Sequence, residues 1–350
     1  MIKVALVRGK YLNNFEGQNY LFDQKKIKLM AISSYWPINK NFPFPVIRLF
    51  SPADLQNIFF LEKPVKFLLN RILGDSQLLL GLENLYRDFD IFHTADPHYF
   101  YSYQLAKLRA QNKISKLIAT SWETIPFNNE SVPQKKFIKK FTQRNIDFFI
   151  CYTQKAKECL IKEGVPKEKI AVVKLGVDLK KFRPPDQKPK SATAQILFVG
   201  RAVDEKGIND LKKAIKGLKV NLKIVKFGTL DYSAMPKIYQ KADLLIFPSK
   251  KTKTWEEQYG MVLVEAMASG LPIVAYDSGA IKEVVGDAGI LVPENNLQQL
   301  ALKVKYLTDN KKQRLKIGKM GRRRAEKYYD ARKTSQALKK IYETIYHYHH

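Results

Sequence analysis

Two glutamates, an arginine and a lysine in the second half of this chain combine residue types that can meet an anion on one side and hydroxyl groups on the other. The stretch Trp255-Glu-Glu-Gln-Tyr-Gly-Met-Val-Leu-Val-Glu-Ala-Met-Ala-Ser-Gly270 carries Glu257 and Glu265 eight residues apart. Glu265 falls inside a helix that otherwise reads as core, and a carboxylate there is costly to bury unless its oxygens are satisfied. A ligand hydroxyl would do that, and Glu265 is placed about one turn into the helix to accept from a ribose. Gly260 allows close backbone approach. The first amides of the helix, at Gly260, Met261 and Val262, offer unpaired N–H groups and the positive end of the dipole to an anion. Upstream, Ile196-Leu-Phe-Val-Gly-Arg-Ala-Val-Asp-Glu-Lys-Gly207 puts Arg201 directly after a buried strand and Lys206 at the mouth of the next helix. A planar fork and a mobile point charge converging on one strand end suit a diphosphate.

The elements that must hold these residues alternate between apolar strand-like runs and amphipathic segments, the pattern of a parallel α/β sheet. Strands are expected at 3–7, 27–33, 90–93, 116–120 and 147–152, and again at 195–200, 222–227, 244–248 and 271–275. Helices are expected at 207–218, 234–242, 260–269, 297–310 and 313–329. Between the two sets lies the polar, proline-rich run Phe182-Arg-Pro-Pro-Asp-Gln-Lys-Pro-Lys-Ser-Ala-Thr193, suited to a linker. The organisation expected is therefore a first domain over 1–182, a linker over 183–194 and a ligand-binding domain over 195–330, followed by a final segment over 331–350. Each domain is doubly wound and Rossmann-like, with a cleft between the two. Ligands of such folds bind beyond the carboxyl ends of the strands, where both motifs lie.

On these residues the chain resembles the GT-B glycosyltransferases of the retaining family 4 type. Gly200-Arg201 with Lys206-Gly207, the run from Glu257 to Glu265, Ala266-Met-Ala-Ser-Gly-Leu-Pro272 and Gly176-Val-Asp-Leu-Lys-Lys-Phe-Arg-Pro184 carry the resemblance, continued by Asp277-Ser-Gly279 and Asp287-Ala-Gly-Ile-Leu-Val292. It implies a nucleoside diphosphate sugar as donor substrate, no bound metal and no separate cofactor, with an acceptor-side first domain to which the final segment over 331–350 returns. Arg201 and Lys206 would hold the diphosphate, Glu257 the sugar hydroxyls and Glu265 the ribose, with Tyr259, Gly260, Met261 and Val262 completing the donor site. Cationic side chains and helix amides would stabilise the leaving diphosphate.

The first half departs from the family's pattern. Relatives carry a glycine pair in the first loop, where this chain has Arg8-Gly-Lys-Tyr-Leu-Asn-Asn-Phe-Glu-Gly-Gln18, leaving Gly17 as the residue expected to let the backbone approach a donor. Where relatives place a histidine, this chain has Trp122 and Glu123, and Glu123 is a candidate base or polar orienter. His93 and His98 are the alternatives for that role. Asp88-Phe-Asp90 matches a metal-binding DxD pattern but precedes a strand, where a metal site would want it at the strand's end, and no GxGxxG follows the first strand to support a nicotinamide cofactor.

Composition adds a second theme. The 350 residues include 61 basic and 33 acidic side chains, a net charge of +28, with ordinary hydrophobic content. Such a surplus calls for an anionic partner, a membrane surface or a polymer. Pro133-Gln-Lys-Lys-Phe-Ile-Lys-Lys-Phe-Thr-Gln-Arg144 sets Lys135, Lys136, Lys139 and Lys140 beside Phe137, Ile138 and Phe141, a cationic face next to an apolar one that suits an anionic bilayer. Gly321-Arg-Arg-Arg324 reads as a solvated helix face. No nucleic-acid module is recognisable. Two isolated cysteines fit a reducing compartment, the short apolar start reads as a strand and not as a leader, and no apolar run is long enough to span a bilayer. The terminal histidines are given no role.

The expectation is a metal-independent hexosyltransferase acting with retention, cytoplasmic or peripheral at the inner membrane face, on a lipid-linked or cell-envelope glycan. The competing expectation is a non-catalytic binder of nucleic acid or anionic polymer on the same scaffold.

Overall fold

The computed structural model describes residues 1–57, 76–187, 191, 193–226 and 228–347. The end of the expected strand at Phe227, part of the expected linker and the last three residues lie outside the described set. Two compact units emerge, Met1–Val173 with Thr334–His350, and Lys174–Lys333.

In the first unit the chain runs β1 (Ile2–Gly9), α1 (Asn14–Gly17), β2 (Ile27–Ser33), β3 (Val46–Arg48), β4 (Ile91–Thr94), α2 (Phe100–Ala110), β5 (Lys116–Ser121), α3 (Pro133–Arg144), β6 (Phe148–Cys151), α4 (Gln154–Lys162) and β7 (Ile170–Val172). The strands form one parallel sheet in the order β3-β2-β1-β4-β5-β6-β7. Strand β1 shows why: after Ile2, only Lys3 is exposed, so both faces are apolar and both must be covered, as parallel crossovers require. Helix starts are locally encoded. The Asn13 side chain accepts from the Glu16 amide, the Thr153 side chain accepts from the Ala156 amide, and α3 opens on Pro133.

The second unit runs β8 (Ala194–Gly200), α5 (Ile208–Ala214), β9 (Val220–Lys226), α6 (Met235–Lys241), β10 (Leu244–Phe247), α7 (Met261–Ala268), β11 (Ile273–Asp277), α8 (Ile281–Val285), β12 (Ile290–Pro293), α9 (Leu297–Asp309) and α10 (Lys311–Tyr328). Its five strands are parallel in the order β12-β11-β10-β8-β9. The order reverses between β8 and β10, and ligands of open α/β sheets bind at that switch point. A last helix, α11 (Ala331–His347), follows. The fold is α/β with two Rossmann-like units, as expected.

Strands β3, β7 and β12, of three or four residues, lie outside the expected set. The unit boundary also falls at 173/174 and not within 183–194. Residues 174–182 are stitched to the second unit: the Val177 amide donates to Tyr329 O and the Ala331 amide to Val177 O. The Arg322 guanidinium donates to the carbonyls of Phe182 and Ala268, and Tyr259 Oη to Leu175 O. Arg324 similarly donates to Glu283 O and Val284 O. Two arginines of the expected solvated face therefore terminate buried backbone, and only Arg323 is exposed.

Candidate functional site

Two loops leave the carboxyl ends of the neighbouring strands β8 and β10, and they are held together. Gly207 closes the first loop with φ +69°, and a Cβ there would sit 2.0 Å from Pro248 O. No other residue fits that approach, so the glycine fixes how closely the loops pack. The Lys250 amide donates to Glu205 O, and the Lys250 ammonium lies 3.4 Å from Asp204 and 3.7 Å from Asp210. A third loop joins after β11, where the Ala280 amide donates to Glu257 O.

Within this frame the Lys206 ammonium donates to Glu257 Oε2 at 2.6 Å and lies 4.4 Å from the centre of the Trp255 ring. Ser249 Oγ donates to the same carboxylate oxygen at 3.3 Å. Both charged side chains are largely buried, at 14% and 11% exposure, so the pair is poorly screened and its polarity is available to a ligand at the strand ends. Next to Glu257, Gly260 adopts φ +79° and starts α7, whose first amides have no partner within the helix. Here Lys206 and Glu257 come together with the helix start. Arg201 does not join them: it is half-exposed and pairs at 3.3 Å with Glu205 of its own loop.

Glu265 is buried as expected, but its oxygens are satisfied from within the protein. Tyr232 Oη donates to Oε1 at 2.8 Å and Tyr239 Oη to Oε2 at 2.6 Å. Phe182 packs against both tyrosine rings. A ligand hydroxyl is thus not needed to account for the buried carboxylate, although each oxygen retains a second acceptor site. Burial pushes the Glu265 carboxyl up from 4.5 to about 7, with the two tyrosines opposing the shift. The folded state therefore holds this proton more tightly than the unfolded chain. Its contribution to stability is present below about pH 4.5 and is lost as pH rises towards 7. Glu265→Gln removes that titration, so chemical denaturation at pH 5 and pH 8 should show a smaller difference for the variant than for the wild type. An unchanged difference would mean that Glu265 does not titrate in this window.

Tyr259 is fully buried, donates to Leu175 O at 2.6 Å and packs edge-on to Tyr329. It braces the loop from beneath, a role different from the expected donor contact. Gly17 also differs from expectation. It ends the short helix α1, where a Cβ would lie 3.4 Å from Phe44 Cζ, so it packs under aromatic rings and does not open a backbone approach.

The carboxyl ends of β1, β4, β5 and β6 hold a polar cluster that sequence reading missed. Arg8 is fully buried and grips Glu16, through Nε at 3.0 Å and Nη2 at 2.8 Å to Oε1. Tyr20 and Tyr152 donate to the same carboxylate oxygen, and Arg8 also donates to His93 O and Thr120 Oγ1. His93 bonds Thr120 through Nε2 and Tyr342 of α11 through Nδ1 at 2.6 Å. Burial, with Arg8 nearby, holds the His93 imidazole well below its usual pKa, so it is neutral and structural.

Glu123 likewise turns out to be a loop clamp. Its Oε1 accepts from the amides of Thr124 and Ile125, and its Oε2 from Asn128 Nδ2 at 2.8 Å. Asp96 does the same for the end of β5, accepting from Ser121 Oγ and the Trp122 amide, and burial raises it to about 6. Desolvation raises Glu123 too. His98 is half-buried with its ring 4.3 Å from that of Tyr99. Asp90 accepts from the Lys3 amide ahead of β4, away from the strand's carboxyl end. Among the described residues no group of three or more His, Cys, Asp or Glu side chains is arranged to hold a metal ion.

Of the four lysines expected to face a membrane, Lys139 does not. It is buried, 2.6 Å from Glu163 and 3.4 Å from Glu130, because α3 turns that side inward with Ile138 and Thr142. Lys135 is half-buried, whereas Lys136 and Lys140 are exposed.

Known proteins match this chain along both halves. Residues 47–181 match the family model described as Glycosyltransferase Family 4, and residues 220–324 match Glycosyl transferases group 1. An uncharacterised glycosyltransferase of Methanocaldococcus jannaschii is 28% identical over 173 residues, 43% of this chain and 48% of that protein. The capsular polysaccharide biosynthesis glycosyltransferase CapM of Staphylococcus aureus is 25% identical over 262 residues, 62% of this chain and 68% of that one. The first curated relatives are thus matched over about half of their length or less. Among solved structures, sucrose-phosphate synthase from Thermosynechococcus elongatus superposes with a TM-score of 0.73 at 16% identity, covering 99% of both chains. Anabaena HepE in complex with UDP-glucose gives 0.72 at 14% identity, covering 98% of this chain and all of that one. Glycosyltransferase family models therefore match parts of both units, and the fold is that of the GT-B glycosyltransferases.

Proposed function

We propose that the protein transfers a hexose from a nucleoside diphosphate sugar to a lipid-linked or cell-envelope glycan, with retention of configuration and without a metal. The observation that carries this reading is the Lys206–Glu257 pair, set at the switch point of the second sheet beside the start of α7. Lys206 and the first amides of that helix meet the diphosphate, and Lys206 exchanges its carboxylate partner for phosphate oxygens. Glu257, released, accepts from sugar hydroxyls, and Arg201 swings from Glu205 to add a second cation. Glu265 takes the ribose through its remaining acceptor sites. The departing diphosphate gains charge as the glycosidic bond breaks, and fixed cations and amides stabilise that charge where it develops. The acceptor class draws its support from the glycan-assembling relatives and the basic surface.

The test is release of nucleoside diphosphate from uridine, guanosine and adenosine sugars with and without glycan lipid acceptors. We expect turnover with one donor series, its loss in Glu257→Gln, and product whose anomeric configuration, read by proton NMR, matches the donor. Binding of anionic polymer with no diphosphate released from any donor would instead establish the non-catalytic reading.

A further inference from the structure

We propose that the outer face of α3, with the loop that precedes it, docks on an anionic lipid bilayer, using Phe127, Val132 and Phe137 as apolar anchors and Lys136, Lys140 and Arg144 as the charge that selects the surface. This deepens the reading of a lipid-linked acceptor and rests on it only for its purpose, because the surface itself is independent of turnover.

Helix α3 divides cleanly. Ile138, Lys139 and Thr142 are buried, and Lys136, Phe137, Lys140 and Arg144 are all exposed at helical spacing. The apolar element of the outer face is thus Phe137, 58% exposed in the midst of three cations. Its ring continues into α2, lying 6.3 Å from that of Tyr103, over which the Lys107 ammonium sits at 5.9 Å. Mixed aromatic and basic side chains of this kind suit the headgroup boundary, where rings enter the apolar edge and cations meet lipid phosphates.

The loop before α3 is built to present a further ring. Phe127 has φ +61°, a left-handed conformation that bulky residues rarely adopt, and it is 54% exposed. A large apolar side chain kept outward against that strain must be held by its surroundings. The Phe127 amide donates to Glu163 Oε1 at 2.7 Å, the buried Lys139 ammonium bridges Glu163 and Asn128 O, and Glu123 ties down Thr124, Ile125 and Asn128. Lys139 is therefore a strut, and Glu123 and Glu163 are the posts of a fixed platform. Exposed rings favour a bilayer over a soluble polyanion, which would need the cations alone.

Sedimentation of the full chain with phosphatidylcholine vesicles, with and without phosphatidylglycerol, tests this. We expect binding only with the anionic lipid, weakening as salt rises. Lys136→Gln with Lys140→Gln should weaken partition by roughly tenfold or more. Phe127→Ser with Phe137→Ser should weaken it comparably while leaving binding to heparin unchanged, and diphosphate release in a detergent assay should stay at the wild-type level in both variants. Vesicle binding unaffected by the phenylalanine changes, or absent altogether, overturns the proposal, and so does parallel loss of heparin and vesicle binding in the phenylalanine variant. Neither the vesicle nor the heparin result depends on whether a donor is turned over.

Discussion

Lys206→Ala should lower turnover of the donor by roughly a hundred- to a thousand-fold, the cost of removing one fixed group that stabilises charge in a transition state. Lys206 is the cation placed on Glu257, 2.6 Å away, beneath Trp255 and beside the start of α7. Its loss removes positive charge where diphosphate charge builds and leaves Glu257 with Ser249 as its remaining side-chain donor in this cluster. The variant therefore separates two roles. If the pair were only a structural ion pair, Lys206→Ala would strand a carboxylate, and the double variant with Glu257→Gln would recover both stability and turnover. If the pair acts on the donor, the double variant recovers stability and stays slow. Steady-state diphosphate release, with thermal melts of the same samples, measures both. Turnover within about fivefold of wild type in Lys206→Ala would remove the site assignment, being far smaller than the loss of a transition-state contact.

Glu16→Ala should destabilise the first unit by about 3–5 kcal/mol, because it leaves a buried guanidinium without its counter-charge. Arg8 is 1% exposed, and its remaining partners, Val7 O, His93 O, Tyr20 Oη and Thr120 Oγ1, are all neutral. Tyr20 and Tyr152 also lose their acceptor at Glu16. Replacing both ions with apolar residues, Arg8→Met with Glu16→Leu, should return much of that loss, since what is costly is the unpaired charge. Urea denaturation combined with hydrogen exchange at β1 and β4 reads the effect in this unit alone. A loss under about 1 kcal/mol for Glu16→Ala would show that water reaches the site.

The second unit was the more legible. Its central strands β8, β10 and β11 are mostly apolar runs, α9 and α10 start on the capping residues Asn296 and Asn310, α8 ends on Gly286, and Lys206 and Glu257 sit in the loops that follow β8 and β10. What local pattern does not carry is the partner of a buried charge. Glu265 looked as though it required a ligand because Tyr239 and Tyr232, 26 and 33 residues upstream, announce nothing at their own positions. Lys139 belonged equally well to an outward stripe until Glu163, 24 residues on, was seen to draw it in. Helical period places residues on a common face, but neighbouring elements decide which face turns inward. Arg8 and Glu16 sit on different elements and share no helical or strand period, and the His93, Thr120 and Tyr152 groups that complete their cluster lie far off in sequence. Arg322 and Arg324 were misjudged for the same reason, their carbonyl partners lying on segments far away in sequence.

The bond from Tyr342 to His93 has a consequence for how the chain is made. The first unit is interrupted by the whole of the second, and α11, which supplies Tyr342 and the Ser335 contact to Leu21 O, is translated only after it. As the chain leaves the ribosome, the first sheet can assemble early, but one flank of its buried histidine stays uncovered until some 160 further residues, Lys174–Lys333, have been synthesised. A nascent chain stalled before Thr334 should therefore hold a first unit with exchangeable amides in β4, tightened only when the closing helix arrives.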